Sequence, residues 1–366
     1  GNTKLSEEEL KRVHGIQYFT ALDVCSQSVM ASFNSWNGSK VHGNEYLLTE
    51  VLKNQMGFDG FVISDWQGID EIPGDYKSDV ITSINAGIDM VMVSGQGQPY
   101  KKFMRLLKES VEEGSIPLAR IDDAVKRILK VKIRNGLFDN PLVENDALKV
   151  IGSDAHRDIA RQAVRESVVV LKNDDIIPIS KDSKSIVVAG RGADNLGMQC
   201  GGWTINWQGG QGDITIGTTI LDGIKKSVSA ETNVIYSEDG QDLNDVDGEL
   251  AVVVIGEDPY TEFFGDKDNL DLLNDDINTI NNLKNKGYKV MVLLISGRPM
   301  NIAEHIDDWD GFAAIWLPGS EGDGVSDILF GDFQSTGKLS YPWPIKAEHG
   351  ANADDKDLLF NFGYGL

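Results

Sequence analysis

Short apolar runs, each separated from the next by a stretch of helical period, constrain this chain more than any other feature. Before residue 136 the runs cover 28–33, 61–63 and 90–94. After residue 168 they cover 168–171, 185–190, 234–236, 251–255, 290–295 and 312–317. Amphipathic patterns at 45–55, 79–86, 102–113 and 121–134 fall between or after the first set. Others at 155–167, 220–228, 275–286 and 300–306 do the same for the second. Strands that alternate with helices build parallel sheets with helical crossovers, so the chain reads as α/β. Only about three strands precede residue 136, whereas a closed eight-stranded barrel takes roughly 200 residues or more. The first part is therefore a small open sheet or the tail of a barrel. The second part, 156–366, reads as a doubly wound α/β sandwich with ligands at the carboxyl ends of its strands. Residues 137–155 lack a clear period and read as the linker.

Charge and composition exclude several function classes. The formal net charge is −23, which argues against nucleic acid or an anionic membrane as a partner. No apolar run approaches the ~20 residues of a membrane span. The two cysteines, Cys25 and Cys200, make no disulfide framework; Cys25 reads as a small core residue, and Cys200 precedes a glycine-rich loop. No Cys/His cluster has metal-ligand spacing, and there is no Gly-x-Ser-x-Gly elbow. The chain starts Gly1-Asn2-Thr3, in what reads as the middle of a fold.

Two carboxylates stand at strand ends. Phe61-Val62-Ile63 runs into Ser64-Asp65-Trp66. An acid beside a flat aromatic suits work on a sugar, since it can attack or stabilise an electron-poor carbon while the indole covers a ring face. Asp65 reads equally well as a helix N-cap. The second carboxylate is Glu262, in the acid-rich loop after the run that ends at Ile255. Tyr260, Phe263 and Phe264 flank it, and an apolar surround raises a carboxyl pKa as a proton donor needs. The alternative is a solvated acidic loop. Between them lies Gly201-Gly202-Trp203-Thr204-Ile205-Asn206-Trp207, too bulky for a phosphate loop and suited to stacking on sugars. His42 follows the Trp36 loop and is not placed among the site residues.

These stretches resemble glycoside hydrolase family 3. The segment Gly57-Phe58-Asp59-Gly60-Phe61-Val62-Ile63-Ser64-Asp65-Trp66 resembles that family's nucleophile segment. Met30-Ala31-Ser32-Phe33-Asn34-Ser35-Trp36-Asn37-Gly38 and Arg165-Glu166-Ser167-Val168-Val169-Val170-Leu171-Lys172-Asn173 also resemble family motifs. So do Ser296-Gly297-Arg298-Pro299 and Leu317-Pro318-Gly319-Ser320-Glu321-Gly322, with the segments that follow as far as Pro344. The loops at Trp203 and Glu262 look like the branch of β-glucosidases and exo-acting β-glucan glucohydrolases.

The resemblance implies the carboxyl-terminal part of a (β/α)8 TIM-type barrel over 1–136, followed by the sandwich over 156–366. It implies a retaining glycoside hydrolase with Asp65 as nucleophile and Glu262 as acid/base. It makes Trp66, Trp203 and Trp207 substrate-binding walls, joined by Phe33 and Trp36. It implies no cofactor, a β-linked oligosaccharide or glucan as substrate, and a periplasmic or secreted location. The family's Lys-His segment and an upstream acid, which hold the first sugar, have no counterpart here. This leads to the expectation that an amino-terminal barrel portion, on a separate fragment or not, is a partner and that this chain alone does not turn over. Two rivals remain: a transglycosylase or phosphorylase on the same fold, and a carbohydrate-binding remnant without turnover.

Overall fold

The computed structural model describes residues 1–143, 145–243, 248–346 and 354–366. The chain divides into two units, Gly1–Glu144 and Asn145–Leu366. Glu144, inside the expected linker, lies outside the described residues.

In the first unit, Ser6 opens the first helix with a capping box: its Oγ accepts the Glu9 N–H, and the Glu9 carboxylate accepts the Ser6 N–H. The helix runs as α1 (Glu7–Leu10), a π-type stretch (Lys11–Gly15) and α2 (Ile16–Asp23). β1 (Asn2–Thr3) pairs parallel with β3 (Ser35–Trp36), which pairs antiparallel with β4 (Ser39–Lys40). β2 (Ser28–Met30) pairs parallel with β5 (Phe61–Ile63), and Ile63 bridges parallel to Met90. Between them Tyr46–Gln55 winds as a π-type helix that buries Leu48 and Leu52. Helices α3 (Tyr76–Ala86), α4 (Pro99–Glu112) and α5 (Leu118–Arg134) follow.

The strand expected over 90–94 is reduced to a bridge at Met90. Its ladder stops because the Met92 N–H donates to the Ser64 side-chain oxygen at 2.8 Å, leaving no strand partner to continue. Among the described residues no closed barrel forms; the parallel pairings of this unit are β1 with β3, β2 with β5, and the bridge from Ile63 to Met90. Cys25 is exposed at a left-handed turn with φ +62°, not in the core as the helical pattern suggested. At the amino ends of these strands, buried Asp89 accepts the Val62 N–H at 2.8 Å and pairs with Lys53 at 2.9 Å and with Arg120. Burial lowers the Lys53 ammonium to about 8, against the pull of Asp89.

In the second unit, α6 (Asp154–Ser167) leads into β6 (Val169–Asn173). Then come β7 (Ser185–Ala189), α7 (Leu196–Cys200), α8 (Ile220–Ser227), β8 (Asn233–Ser237) and β9 (Leu250–Gly256). The chain continues with α9 (Asn274–Asn285), β10 (Lys289–Ile295), β11 (Gly311–Trp316), α10 (Gly322–Leu329), β12 (Trp343–Pro344) and β13 (Leu358–Phe360). The main sheet has the order β6-β11-β10-β9-β7-β8, parallel throughout except for β6 against β11.

Its continuous apolar strands are buried on both faces, as a helix-covered parallel sheet requires. The two-residue period sends Val188, Val252, Val254, Leu293 and Ile315 to a core covered by α6, α8 and α10. Val187, Val253, Val292 and Phe312 face the opposite core, with α9 and Trp343. The helix expected over 300–306 is absent: the segment holds a bridge at Asn301, a turn and a short 3-10 stretch, Ile306–Asp308. Met300, Ile302 and Ile306 are all buried, but their spacing is not that of one helical face.

Candidate active site

Asp65 lies in the loop that leaves β5. Its backbone N–H donates to His42 Nε2 at 3.0 Å, and its carboxylate Oδ1 accepts the Trp66 N–H at 2.6 Å. The Ser64 hydroxyl donates to the Asp65 carbonyl at 2.8 Å, and Gly68 N–H donates to the same oxygen at 3.0 Å. The loop is therefore held through its backbone, while the side chain of Trp66 is left 61% exposed.

His42 is fully buried, and Gly68 makes room for its ring: a Cβ there would stand 2.2 Å from Nε2. Burial pushes the imidazole below its ordinary range; Asp65 pulls the other way and Lys40 adds to the lowering. Phe33 packs on His42 with centroids 5.9 Å apart. Lys40 donates to the Phe33 carbonyl and pairs with Glu71 at 3.5 Å.

The fold thus gathers Asp65, Trp66, His42 and Phe33. Trp36 is placed differently. Its N–H donates to the Leu5 carbonyl at 3.0 Å and its ring stacks on Tyr46 at 6.4 Å. No hydrogen bond or ring contact links it to Asp65 among the described residues.

In the second unit, the strand order reverses between β7 and β9, the switch point at which a doubly wound sheet opens a crevice. Here Arg191 fills it, pairing with Asp258 and with Asp276 and donating to the Gly256 carbonyl. The loop from Glu257 to Asp266 springs from this base. Glu262 itself is exposed, with φ +50°, and its side chain makes no hydrogen bond or ion pair among the described residues. The apolar surround expected from the sequence does not close over it within this unit, because Phe263 and Phe264 are exposed as well.

The Trp loop is stitched to this one. Trp203 N–H donates to the Trp207 carbonyl at 3.0 Å, and Gln208 Nε2 donates to Thr261 Oγ1 at 2.6 Å. The Thr261 hydroxyl donates to the Trp207 carbonyl at 3.0 Å. Trp207 packs edge-on against Phe263 and Phe264, with centroids at 5.8 and 5.5 Å. Trp203 stands 68% exposed on a left-handed residue. Glu262, Trp203 and Trp207 are thus presented on one pair of loops.

Sequence reasoning set His42 within reach of a site but gave it little weight, and did not single out Arg191. His42 carries no motif of its own, and its only signal is its place just past a strand-end loop. No group of metal-ligating side chains able to hold an ion is found among the described residues, and none of their helices is long and apolar enough to cross a membrane.

Comparison with known proteins identifies the family. The chain matches the glycosyl hydrolase family 3 N-terminal domain over residues 1–131 and the family 3 C-terminal domain over residues 168–366. It is 30% identical to a lysosomal beta glucosidase of Dictyostelium discoideum, over 93% of this chain and 45% of that protein. It is 28% identical to a periplasmic beta-glucosidase of Salmonella typhimurium, over 93% of this chain and 49% of that protein. The crystal structure of an exo-1,3/1,4-beta-glucanase from a Pseudoalteromonas species superimposes with a TM-score of 0.91 at 40% identity, covering 100% of this chain and 48% of that one. The chain spans about half the length of the curated relatives it matches. With both domain matches, a shared α/β architecture and the strand-end carboxylates in view, the chain belongs to glycosyl hydrolase family 3.

Proposed function

We propose that this chain carries the two catalytic carboxylates of a retaining β-glucosidase or exo-β-glucanase that releases glucose from non-reducing ends. Asp65 attacks the anomeric carbon and forms a glycosyl-enzyme while Glu262 protonates the departing oxygen. Glu262 then takes a proton from water, which displaces Asp65, and two inversions retain the anomer. The mechanism calls for no cofactor. Residues 1–136 serve as the carboxyl-terminal part of the catalytic barrel, 137–155 as linker and 156–366 as the sandwich. Trp66 offers a ring face to the sugars from the first unit, with Phe33 and Trp36 as further rings there, and Trp203 and Trp207 do so from the second. The substrate is a β-linked oligosaccharide or glucan, and the name of the Salmonella typhimurium relative supports a periplasmic or secreted setting.

One observation carries the reading: each unit presents, beyond a strand's carboxyl end and beside an exposed indole, a carboxylate with no cation on it among the described residues. Of the neighbouring acids, Glu257 is neutralised by Arg298, Asp258 and Asp276 by Arg191, and Glu71 by Lys40, while Asp70 and Asp266, farther along the same loops, likewise pair with no cation among the described residues. The test is mechanism-based labelling. A dinitrophenyl β-glucoside carrying fluorine next to the anomeric carbon forms the glycosyl-enzyme but releases it slowly. The native enzyme should gain one sugar mass on the peptide that contains Asp65. A label on another residue, or turnover with inversion, overturns the assignment.

A further inference from the structure

The motif Ser296-Gly297-Arg298-Pro299 has no part in the chemistry above, yet its arginine reaches the Glu262 loop at several points. Arg298 Nε and Nη2 both donate to Glu257 Oε1, at 3.1 and 2.7 Å. Nη1 donates to the Gly265 carbonyl at 2.7 Å. The guanidinium also lies 4.7 Å from the centroid of the Tyr260 ring, and the Tyr260 hydroxyl donates to Glu257 Oε2 at 3.1 Å. One side chain therefore holds residues 257 and 265, which bracket Glu262, and lies against residue 260 between them.

The packing around this clamp leaves it little freedom. Glu257 is buried. A Cβ on Gly265 would stand 2.3 Å from the Tyr260 ring, and one on Gly297 would stand 2.7 Å from its hydroxyl, so both glycines leave space for the phenol. Burial and the Glu257 charge push the phenol up to about 12, which keeps it a hydrogen-bond donor. On the other side, Thr261 is tied to Gln208 and Trp207. With both flanks fixed, Glu262 occupies a left-handed conformation that a non-glycine residue keeps only when its surroundings over-determine it.

We propose that Arg298, acting through Glu257 and Tyr260, is a positioning residue for Glu262 and thereby for proton donation to the leaving group. This rests on the reading of Glu262 as the acid/base. A clamp that served only stability would weaken the reaction of every substrate alike. A clamp that aims the proton donor matters where protonation is needed and not where the leaving group departs as a stable anion.

The experiment compares kcat/KM for a dinitrophenyl β-glucoside and an unactivated alkyl β-glucoside in the native enzyme, Glu262→Gln, Arg298→Lys and Tyr260→Phe, with folding followed by thermal melts. Arg298→Lys keeps the charge on Glu257 but cannot also grip the Gly265 carbonyl with a planar fork. It should lose about 10- to 100-fold on the alkyl glucoside and less than about threefold on the activated one. Tyr260→Phe, which keeps the ring, should show a smaller split in the same direction and stands in should Arg298→Lys fail to fold. If Glu262→Gln shows the split while both other variants fall equally on the two substrates, or do not fall, the clamp proposal is overturned alone. If Glu262→Gln shows no split, the acid/base reading falls and takes the clamp proposal with it.

Discussion

His42 accepts the Asp65 N–H through Nε2, so the single proton of its neutral ring sits on Nδ1, which meets no acceptor among the described residues. A second proton would turn Nε2 into a donor facing another donor. Burial lowers the imidazole from its ordinary value of 6.5, Asp65 opposes this and Lys40 reinforces it. The sign follows. The unfolded chain takes up a proton near 6.5 and the folded one only at lower pH, so in that window the unfolded state holds more protons and stability falls as pH falls. We therefore expect the melting temperature to drop as pH is lowered from about 6.5. In His42→Gln, whose side-chain oxygen can still accept the amide but does not titrate, the drop should flatten. Parallel melting-against-pH curves for the two proteins would remove His42 from this role.

Among the elements, the strands of the second unit were legible because a sheet buried on both faces writes itself as unbroken apolar runs. The first helix was legible from its Ser6 cap. The third strand of the first unit was not, because the Ser64 hydroxyl intercepts a backbone donor, a tertiary event that no local pattern carries. Helix α10 escaped for a different reason: Gly322, Gly324, Ser326 and Asp327 hide its period, although all are buried. Asp327 is there to be paired. It accepts Arg161 Nε and Nη2 at 2.7 and 2.6 Å and Arg165 Nε at 2.6 Å, which bolts α6 to α10. Burial alone would raise this carboxyl, but the two arginines outweigh it and hold it low. A fragment of residues 145–366 should accordingly unfold in one cooperative transition. A fragment starting at 168, without α6, loses the arginines on Asp327 and uncovers the apolar face of α10 on which Val164 packs, at a cost of about 3 kcal/mol or more. It should melt roughly 10 °C lower. Equal melting of the two by calorimetry would mean that α6 does not belong to the folding unit.

At the scale of the whole molecule, the two candidate carboxylates were legible as strand-end acids, but their surroundings were not: the sequence shows that Glu257 and Glu262 are five residues apart, and only the fold shows that one is spent on Arg298 and the other is free of it. This difference decides what each substitution does in the native enzyme. On the proposed roles, Asp65→Asn removes the nucleophile and should abolish formation of the glycosyl-enzyme from every substrate. Glu262→Gln should cost about 100- to 10,000-fold on unactivated glucosides, the usual worth of a positioned acid. A dinitrophenyl glucoside needs little protonation and should still glycosylate the variant, which then stalls for want of a base. Azide, a nucleophile that needs no deprotonation, should release it as the β-glucosyl azide, because the second inversion restores the starting anomer. Glu257→Gln should behave differently. It leaves the half-buried Arg298 without its counter-charge and loosens the loop, so its defect should appear in thermal stability and should not respond to azide. Azide rescue of Glu257→Gln, with Glu262→Gln left inert to it, would exchange the two roles.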